Sequence, residues 1–224
     1  MSFLERFEKI LSRTPAQSGA RLWSKSLSTG AVLTGLFFVY LLFSGEGALD
    51  FYTFNQALAN AGTVLIGYSF LLSGVCYFWD FWDRQIIYRK HMGLTGFWLV
   101  VGHAVLTMAL PSFSAAGFFS PENIVAFLLA LAALGILIMM AAISNRLAAT
   151  ELGPKRWRAL LRTGYLAYFF ALGHFAIKKY SLWQDWWEAG SAAPPLSLVV
   201  AVFVLAVFLM RAALEISLRT RRAG

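Results

Sequence analysis

The sequence has few charged residues and a single cysteine. Charged side chains make up 13% of its 224 residues, whereas hydrophobic residues make up 59%. The mean hydropathy of +0.65 lies outside the range of an ordinary soluble domain. This composition leaves no length for a soluble catalytic domain, so any flavin or nicotinamide domain must be another chain. The lone Cys76 excludes an internal disulfide and a cysteine-held cluster, and we expect it to be a small packing residue.

Acidic residues are scarce in the apolar segments. The third and fifth of these segments contain no Asp or Glu, which argues against a proton relay or a cation path through them. Crossing a bilayer takes roughly 20 apolar residues per helix. The apolar segments are long enough to predict six membrane helices, at about 29–45, 57–79, 92–111, 123–143, 159–177 and 196–214. The expected fold class is therefore all-α, a six-helix transmembrane bundle.

The two ends of the chain are predicted to lie outside the bundle domain, which we place at residues 28–216. Residues 1–27 are too charged for the apolar core of a signal peptide. Apolar residues nevertheless recur there at helical spacing among charged ones, so we predict an interfacial amphipathic helix lying on the membrane. Residues 217–224 form a short basic tail.

Positive charge is distributed unevenly along the chain. The net charge is +8, and nearly all Lys and Arg fall in the two ends and in the connections after the second and fourth spans. The positive-inside rule therefore places both termini of this multi-pass protein in the cytoplasm. The charge reports orientation and contact with membrane lipid, not nucleic acid. Lys178 and Lys179 are exceptions on the outer side, and snorkelling at a helix end accounts for them.

Two histidines lie inside predicted membrane helices. His103 is about eleven residues into the third span and His174 about fifteen into the fifth, or roughly 16 and 22 Å from the inner edge. Both helices run in the same direction, so these depths are compatible. Two neutral imidazoles at one depth in an apolar pocket suit the axial positions of a six-coordinate b-type haem. We therefore predict that both histidines bind haem iron.

Small residues accompany both histidines. Gly96 is seven residues before His103, and Ala167 is seven residues before His174. A spacing of seven places each small residue two helical turns below its histidine, on the same face. We expect Gly96 and Ala167 to leave space for the porphyrin. Two glycines that should relieve crowding directly precede the histidines: Gly102 and Gly173.

A third histidine, His91, lies at the predicted inner end of the third span, beside Arg89 and Lys90. It is about 18 Å below His103 along the axis and about 120° round the helix. One interpretation is a solvated interfacial side chain. The other is a ligand or hydrogen-bond donor to a second redox group near the cytoplasm, such as a quinone, a flavin (FMN or FAD) or a further haem. Both interpretations remain open at this point.

Other functions also fit histidines in an apolar bundle. Each imidazole could simply hydrogen-bond to a neighbouring helix, and the chain would then be a haem-free membrane scaffold or assembly subunit. A zinc site is disfavoured because no Asp, Glu or Cys lies at the same depth to complete a tetrahedral set. A transporter is disfavoured by the absence of acidic or paired charges inside the spans.

The third and fifth spans each carry one half of a familiar motif. The halves are Arg89, Lys90, Gly93, Leu94 and His103, followed by Arg156, Trp157, Leu160, Arg162, Tyr165 and His174. In this order they resemble the ferric reductase-like transmembrane domain family, and more closely its bacterial haem-b membrane subunits of periplasmic methionine sulfoxide reductase systems. The resemblance implies a bacterial inner-membrane bundle with haem b held by the two outer histidines. Arg89, Arg162 and His91 are further predicted cofactor-binding residues at the inner side.

One position departs from the family's pattern. Family members have a second histidine in the fifth helix, thirteen residues before the outer one, and this chain has Leu161 there. The departure removes the inner ligand of the usual second haem. The resemblance therefore implies one haem b in this chain. Electron transfer on the cytoplasmic side would then use another group.

The expected function is that of an oxidoreductase subunit that transfers electrons across the membrane. A flavin, flavoprotein or quinol on the cytoplasmic side would be the donor, and a protein on the outer side would be the acceptor. The basic inner loops would attract an anionic donor, although they are equally explained by topology. Three tryptophans could dock the outer partner or form an ordinary aromatic belt: Trp183, Trp186 and Trp187.

Overall fold

The described residues of the computed structural model, 19–110, 117, 119–190 and 193–223, contain helices and no strand. The helices are α1 Gly19–Phe43, α2 Phe51–Phe78, α3 Arg89–Ala109, α4 Ile124–Ile143, α5 Arg146–Arg162, α6 Gly164–Ala189 and α7 Leu196–Ala223. A 3₁₀ helix, Asp80–Tyr88, leads directly from α2 into α3. Six helical stretches are long and apolar enough to cross a membrane. The predicted all-α polytopic bundle is confirmed.

Contacts between helix ends define two ends of the bundle. At the end where α3 and α6 begin, Lys25 Nζ donates to the hydroxyl of Tyr88 over 3.1 Å. We call this the basic end, because most of the Lys and Arg residues lie there. At the opposite end, the hydroxyl of Tyr40 donates to the carbonyl oxygen of Pro194 over 2.6 Å. We call this the far end.

Helix α2 is the central element of the bundle. It packs against α1, α3 and α7, whereas α4 packs mainly against α6. The hydroxyl of Tyr168 on α6 donates to the carbonyl oxygen of Thr63 on α2 over 3.0 Å, and this bond joins the two groups of helices. The rings of Phe70 and Tyr165 stack beside it at 4.7 Å. As a result, α3 and α6 belong to different groups of closely packed helices.

Two glycines bring α2 and α3 into close contact. A Cβ atom at Gly96 would lie 2.8 Å from the carbonyl oxygen of Gly62 and 2.9 Å from the backbone nitrogen of Ile66. Small residues at such positions let the backbones of membrane helices approach. Seven residues further along α2, Ser69 Oγ donates to the carbonyl oxygen of Arg89 over 2.8 Å. These contacts fix the register of the antiparallel pair.

The basic connection between the fourth and fifth predicted spans is itself helical, from Arg146 to Arg162. The Oδ1 of Asn145 accepts a hydrogen bond from the backbone N–H of Ala148 over 2.8 Å and caps α5. Gly153 interrupts the helix with φ 70 and ψ 158, directly before Pro154. The segment is helical because an Asn cap and good helix formers such as Ala, Leu and Arg outweigh the effect of its charge.

The aromatic segment after the fifth span is also helical. We expected a connection from Lys178 onward, but α6 continues to Ala189 and ends at Gly190, whose φ of 61 is left-handed. No Gly or Pro interrupts the chain between these points. A left-handed glycine is a common helix terminator. The last turns of α6 therefore carry the aromatic residues at the far end.

The chain ends join membrane helices where they are described. Residues 19–27 of the predicted interfacial segment belong to α1, while 1–18 lie outside the described residues, as does Pro111. Helix α7 runs to Ala223, so the predicted tail extends the last membrane helix. Cys76 is buried, and its thiol donates to the carbonyl oxygen of Trp82 over 3.4 Å.

Candidate functional site

The imidazole of His103 is held by helix α2. Its Nδ1 lies 3.2 Å from the carbonyl oxygen of Asn55 and 3.0 Å from the Oδ1 of the same residue. Asn55 Nδ2 donates to Thr107 Oγ1 over 2.8 Å, which identifies Oδ1 as the acceptor side of the amide. The proton of His103 therefore lies on Nδ1, because both facing oxygens only accept. Its Nε2 keeps a free lone pair.

The network around His103 is closed. Asn55 is 4% exposed. Thr107 Oγ1 accepts from Asn55 and donates to the carbonyl oxygen of His103 over 2.8 Å. Because the amide of Asn55, the hydroxyl of Thr107 and the Nδ1 of His103 all have partners, the network fixes the orientation of the ring as well as its tautomer.

The imidazole of His174 is held by helix α4 in the same way. Its Nδ1 lies 2.8 Å from the carbonyl oxygen of Ala126. A carbonyl oxygen can only accept, so Nδ1 donates and Nε2 is again unprotonated. The two histidines lie within electrostatic range of each other. The two imidazoles, on different helices, thus have the same tautomer, and His174 acts electrostatically on His103.

Each histidine therefore presents one unprotonated nitrogen, the form of imidazole that ligates metals. Metal-bound histidines almost always donate their other ring N–H to a carbonyl or carboxylate, as both histidines do here. Within the part of the chain that the structure describes, no group of three or more His, Cys, Asp or Glu could hold a metal ion. A haem needs only two axial ligands from the protein, because the porphyrin supplies the remaining nitrogens.

Gly96 and Ala167 do not line an open space. The volume beside Gly96 is filled by the backbone of α2. Ala167 is 0% exposed and belongs to the hydrophobic core. The space beside these two residues is therefore filled by protein atoms in this structure, and their role beside a porphyrin stays a prediction. A seven-residue spacing places Gly96 on the face of His103, and this face of α3 packs against α2.

The glycines next to the histidines differ from one another. A Cβ atom at Gly102 would meet no atom within 4 Å, whereas one at Gly173 would lie 3.0 Å from Leu129 Cδ1. The space beside His103 is therefore open on the Gly102 side. Beside His174 it is closed by α4.

His91 lies apart from the other two histidines, at the basic end. Its ring packs edge-to-face against Trp23 of α1, with centroids 5.1 Å apart and planes at 89°. Twelve residues of one helix, about 18 Å, separate it from His103. His91 therefore does not belong to the site of the other two, and its role toward a second redox group stays a prediction.

Arg89 and Arg162 meet a third arginine, Arg211, around Tyr165. The guanidinium of Arg211 lies 5.3 Å from the centre of the Tyr165 ring, and its Nη2 is 2.8 Å from Glu215 Oε2. Tyr165 interacts electrostatically with all three arginines, and Arg89 also faces Arg211. We call these three residues the arginine cluster. It makes the basic end locally positive where three helices meet.

Sequence reasoning did not single out Asn55 or Arg211. Asn55 lies two residues before the predicted start of the second span at 57, so its position inside a membrane helix was hidden. Arg211 lies within the predicted sixth span, and an arginine in such a segment is itself a signal of a charged partner. A polar residue just outside a predicted span can therefore belong to the membrane helix and contact a residue of the site.

Two further predicted features occupy opposite ends of the bundle. Leu161 lies where α5 ends, and the N–H of Thr163 donates to the carbonyl oxygens of Leu160 and Leu161. Thr163 keeps right-handed helical angles, φ −61 and ψ −16, so Leu161 and His174 lie on one nearly continuous helical stretch. At the far end, Trp183 Nε1 donates to a serine, and Trp187 is 77% exposed.

No protein-family model matches this chain, and no curated protein resembles it significantly. The resemblance to ferric reductase-like membrane domains therefore depends on the residues quoted for it.

Proposed function

We propose that this chain is a membrane protein that binds one b-type haem between His103 and His174 and transfers electrons across the membrane. One observation carries the proposal: both histidines donate Nδ1–H to a backbone carbonyl oxygen on a neighbouring helix. Neither Nε2 has a hydrogen-bond partner among the described residues. Both lone pairs therefore remain for iron.

The residues around the site would set the properties of a bound haem. When bound, the haem supplies a one-electron couple. A hydrogen bond from Nδ1 increases the basicity of a ligating imidazole. His103 faces two acceptor oxygens of Asn55, whereas His174 faces the single oxygen of Ala126. His103 would therefore be the more basic ligand. The apolar helices would exclude water and so tune the potential.

The direction of transfer follows from the charge distribution. The positive-inside rule would place the basic end in the cytoplasm. The arginine cluster would then face a cytoplasmic donor and would favour an anionic one, such as a flavin phosphate or an acidic reductase, over a neutral quinol. The far end would deliver electrons to an outer acceptor near the three tryptophans, the most exposed of which is Trp187.

The same residues support a relationship to the ferric reductase-like transmembrane family. Its bacterial members would place the chain in the inner membrane as the haem-binding partner of a separate oxidoreductase. The leucine at 161, where family members have a histidine, supports a single haem in this chain.

The packing of Gly96 and Ala167 favours a second candidate function. Both positions are filled by neighbouring helices, as expected of a bundle that needs no prosthetic group. In this alternative the chain is a haem-free membrane scaffold, and the histidines only join helices. The free Nε2 atoms argue for the first function, since a purely structural imidazole gains from using both nitrogens.

Absorption spectra of purified protein test the proposal. The wild type, expressed in haem-replete cells, should show a b-type spectrum with a redox-sensitive Soret band. His103→Ala and His174→Ala should each abolish the spectrum of a six-coordinate low-spin haem. His91→Ala is the matched control, because His91 lies on the same helix as His103 but outside the site, and it should retain the spectrum. A colourless wild-type protein would support the scaffold.

Transmembrane transfer needs a separate assay. Liposomes containing the protein and trapped ferricyanide would receive dithionite from outside. We expect reduction of the trapped oxidant with the wild type and loss of reduction with His174→Ala. Equal rates for the two proteins would show that the histidine site does not carry the electrons.

A further inference from the structure

Two lysines interrupt the charge pattern of the bundle. Lys178 and Lys179 are the positive residues at the far end, where acidic residues otherwise predominate. Both follow His174 on α6. Lys178 comes four residues after the histidine, so it lies one turn further along nearly the same face, about 6 Å higher. Snorkelling explains why a lysine can lie there, but not what it contacts.

Each lysine contacts a helix that positions one of the histidines. Lys178 Nζ donates to Asn123 Oδ1 over 2.7 Å, three residues before the carbonyl that holds His174. Lys179 Nζ donates to Gln56 Oε1 over 3.1 Å, and Gln56 follows directly after the asparagine that holds His103. The two ammonium groups therefore lie at the far-end edge of the histidine site, one toward α4 and one toward α2.

The partners of these lysines are neutral amides. The carboxylate that acts on Lys179 is Glu46, through its charge only. Oε1 of Glu46 accepts instead from Ser44 Oγ and from the backbone N–H of Leu196, both over 3.0 Å. Lys179 is half-buried, and each lysine feels the charge of the other. Lys178 is exposed, whereas Lys179 is partly out of water, and among the described residues neither ammonium group has a directly bonded anion.

We propose that Lys178 and Lys179 bind the two propionate carboxylates of the haem and direct its propionate edge toward the far end. This inference rests on the proposed function. Each ammonium would exchange an amide oxygen for a carboxylate oxygen, which makes a stronger, charge-assisted hydrogen bond. The two carboxylates would also neutralise the repulsion between the lysines. The vinyl edge would then face the basic end.

Haem dimethyl ester provides a probe without propionate charge. Haem-free full-length protein would be reconstituted in detergent with haem b or with the ester, and both affinities measured optically. The wild type should prefer haem b by about tenfold or more, because the ester cannot accept charge-assisted hydrogen bonds from the two ammonium groups. A Lys178→Gln, Lys179→Gln double variant should lose the preference. Its arginine counterpart should retain it, as should Lys155→Gln, which alters an exposed lysine at the basic end.

A redox titration gives a second readout. Positive charge near the iron favours the ferrous state, so the double glutamine variant should show a more negative midpoint potential than the wild type. Equal affinity of the wild type for haem b and its ester overturns the inference. So does a double variant that keeps the preference but loses bound phospholipid, which would assign the lysines to lipid headgroups. Failure to bind either porphyrin overturns the proposed function as well.

Discussion

Replacing Gly96 by alanine separates two roles of this residue. If Gly96 makes room for a porphyrin, the added methyl group should reduce haem content and leave the stability of the bundle unchanged. If Gly96 instead allows close packing of α2 and α3, the methyl group should reduce stability. The structure favours the second result, because the new Cβ would lie 2.8 Å from the carbonyl oxygen of Gly62 and 2.9 Å from the backbone nitrogen of Ile66.

The magnitude follows from a comparison with Gly135. A Cβ atom there would meet no atom within 4 Å, so Gly135→Ala adds a methyl group in open space within a helix. Both substitutions gain the same helix propensity, and this contribution cancels in the difference between them. Overpacking against backbone atoms costs about 1–3 kcal/mol. We therefore expect Gly96→Ala to be less stable than Gly135→Ala by about this amount.

The single cysteine provides the assay. Cys76 is 6% exposed, so a thiol-reactive fluorescent dye should react with it only on unfolding. Thermal unfolding in detergent should give a midpoint for Gly96→Ala roughly 2–10 °C below that of Gly135→Ala. Equal unfolding midpoints of the two variants, combined with a selective loss of haem from Gly96→Ala, would refute the packing argument. That result would indicate that Gly96 lies beside the haem.

Three further predictions concern the site and the basic and far ends. Asn55→Ala removes one of the two acceptors of His103 Nδ1–H, so redox titration should find the haem retained but with a higher midpoint potential. Arg89→Gln should slow reduction by an anionic flavin donor, in stopped-flow measurements, without changing the haem spectrum. The backbone N–H of Thr53 holds the pKa of Asp50 below its ordinary value, which stabilises the fold above the ordinary carboxyl pKa and less so as pH falls through the lowered one. Asp50→Asn should therefore lower the unfolding midpoint at neutral pH, and its difference from the wild type should shrink in acid.

The six membrane spans could be predicted because they depend on local composition alone. Each needs only about 20 apolar residues, whatever its neighbours are. The ends of the spans were less accurate. Helices α5 and α6 extend through segments that hydropathy marks as connections, since Asn145 begins one and Gly190 ends the other. Hydropathy measures where a helix enters water, whereas capping residues determine where it ends.

The histidine pair could be inferred from depth, but its supporting contacts could not. The hydrogen-bond partner of each Nδ1 lies on another helix. Nδ1 of His103 donates to Asn55 and Nδ1 of His174 donates to Ala126, each 48 residues earlier in the chain. Such contacts depend on the register between helices. The register of α2 and α3 is set by the close approach of Gly62 and Gly96. The spacing of residues within one helix does not predict which residues of a second helix lie opposite. The same register determines that protein atoms fill the space beside Gly96.

Electron paramagnetic resonance of the oxidised, purified protein tests the central claim most directly. Two Nε2 ligands to one iron predict a low-spin ferric signal that accounts for one haem per chain. His103→Ala and His174→Ala should each replace it with a high-spin signal or with no haem at all. A low-spin signal that survives either substitution, or a wild-type protein without haem, would contradict the account.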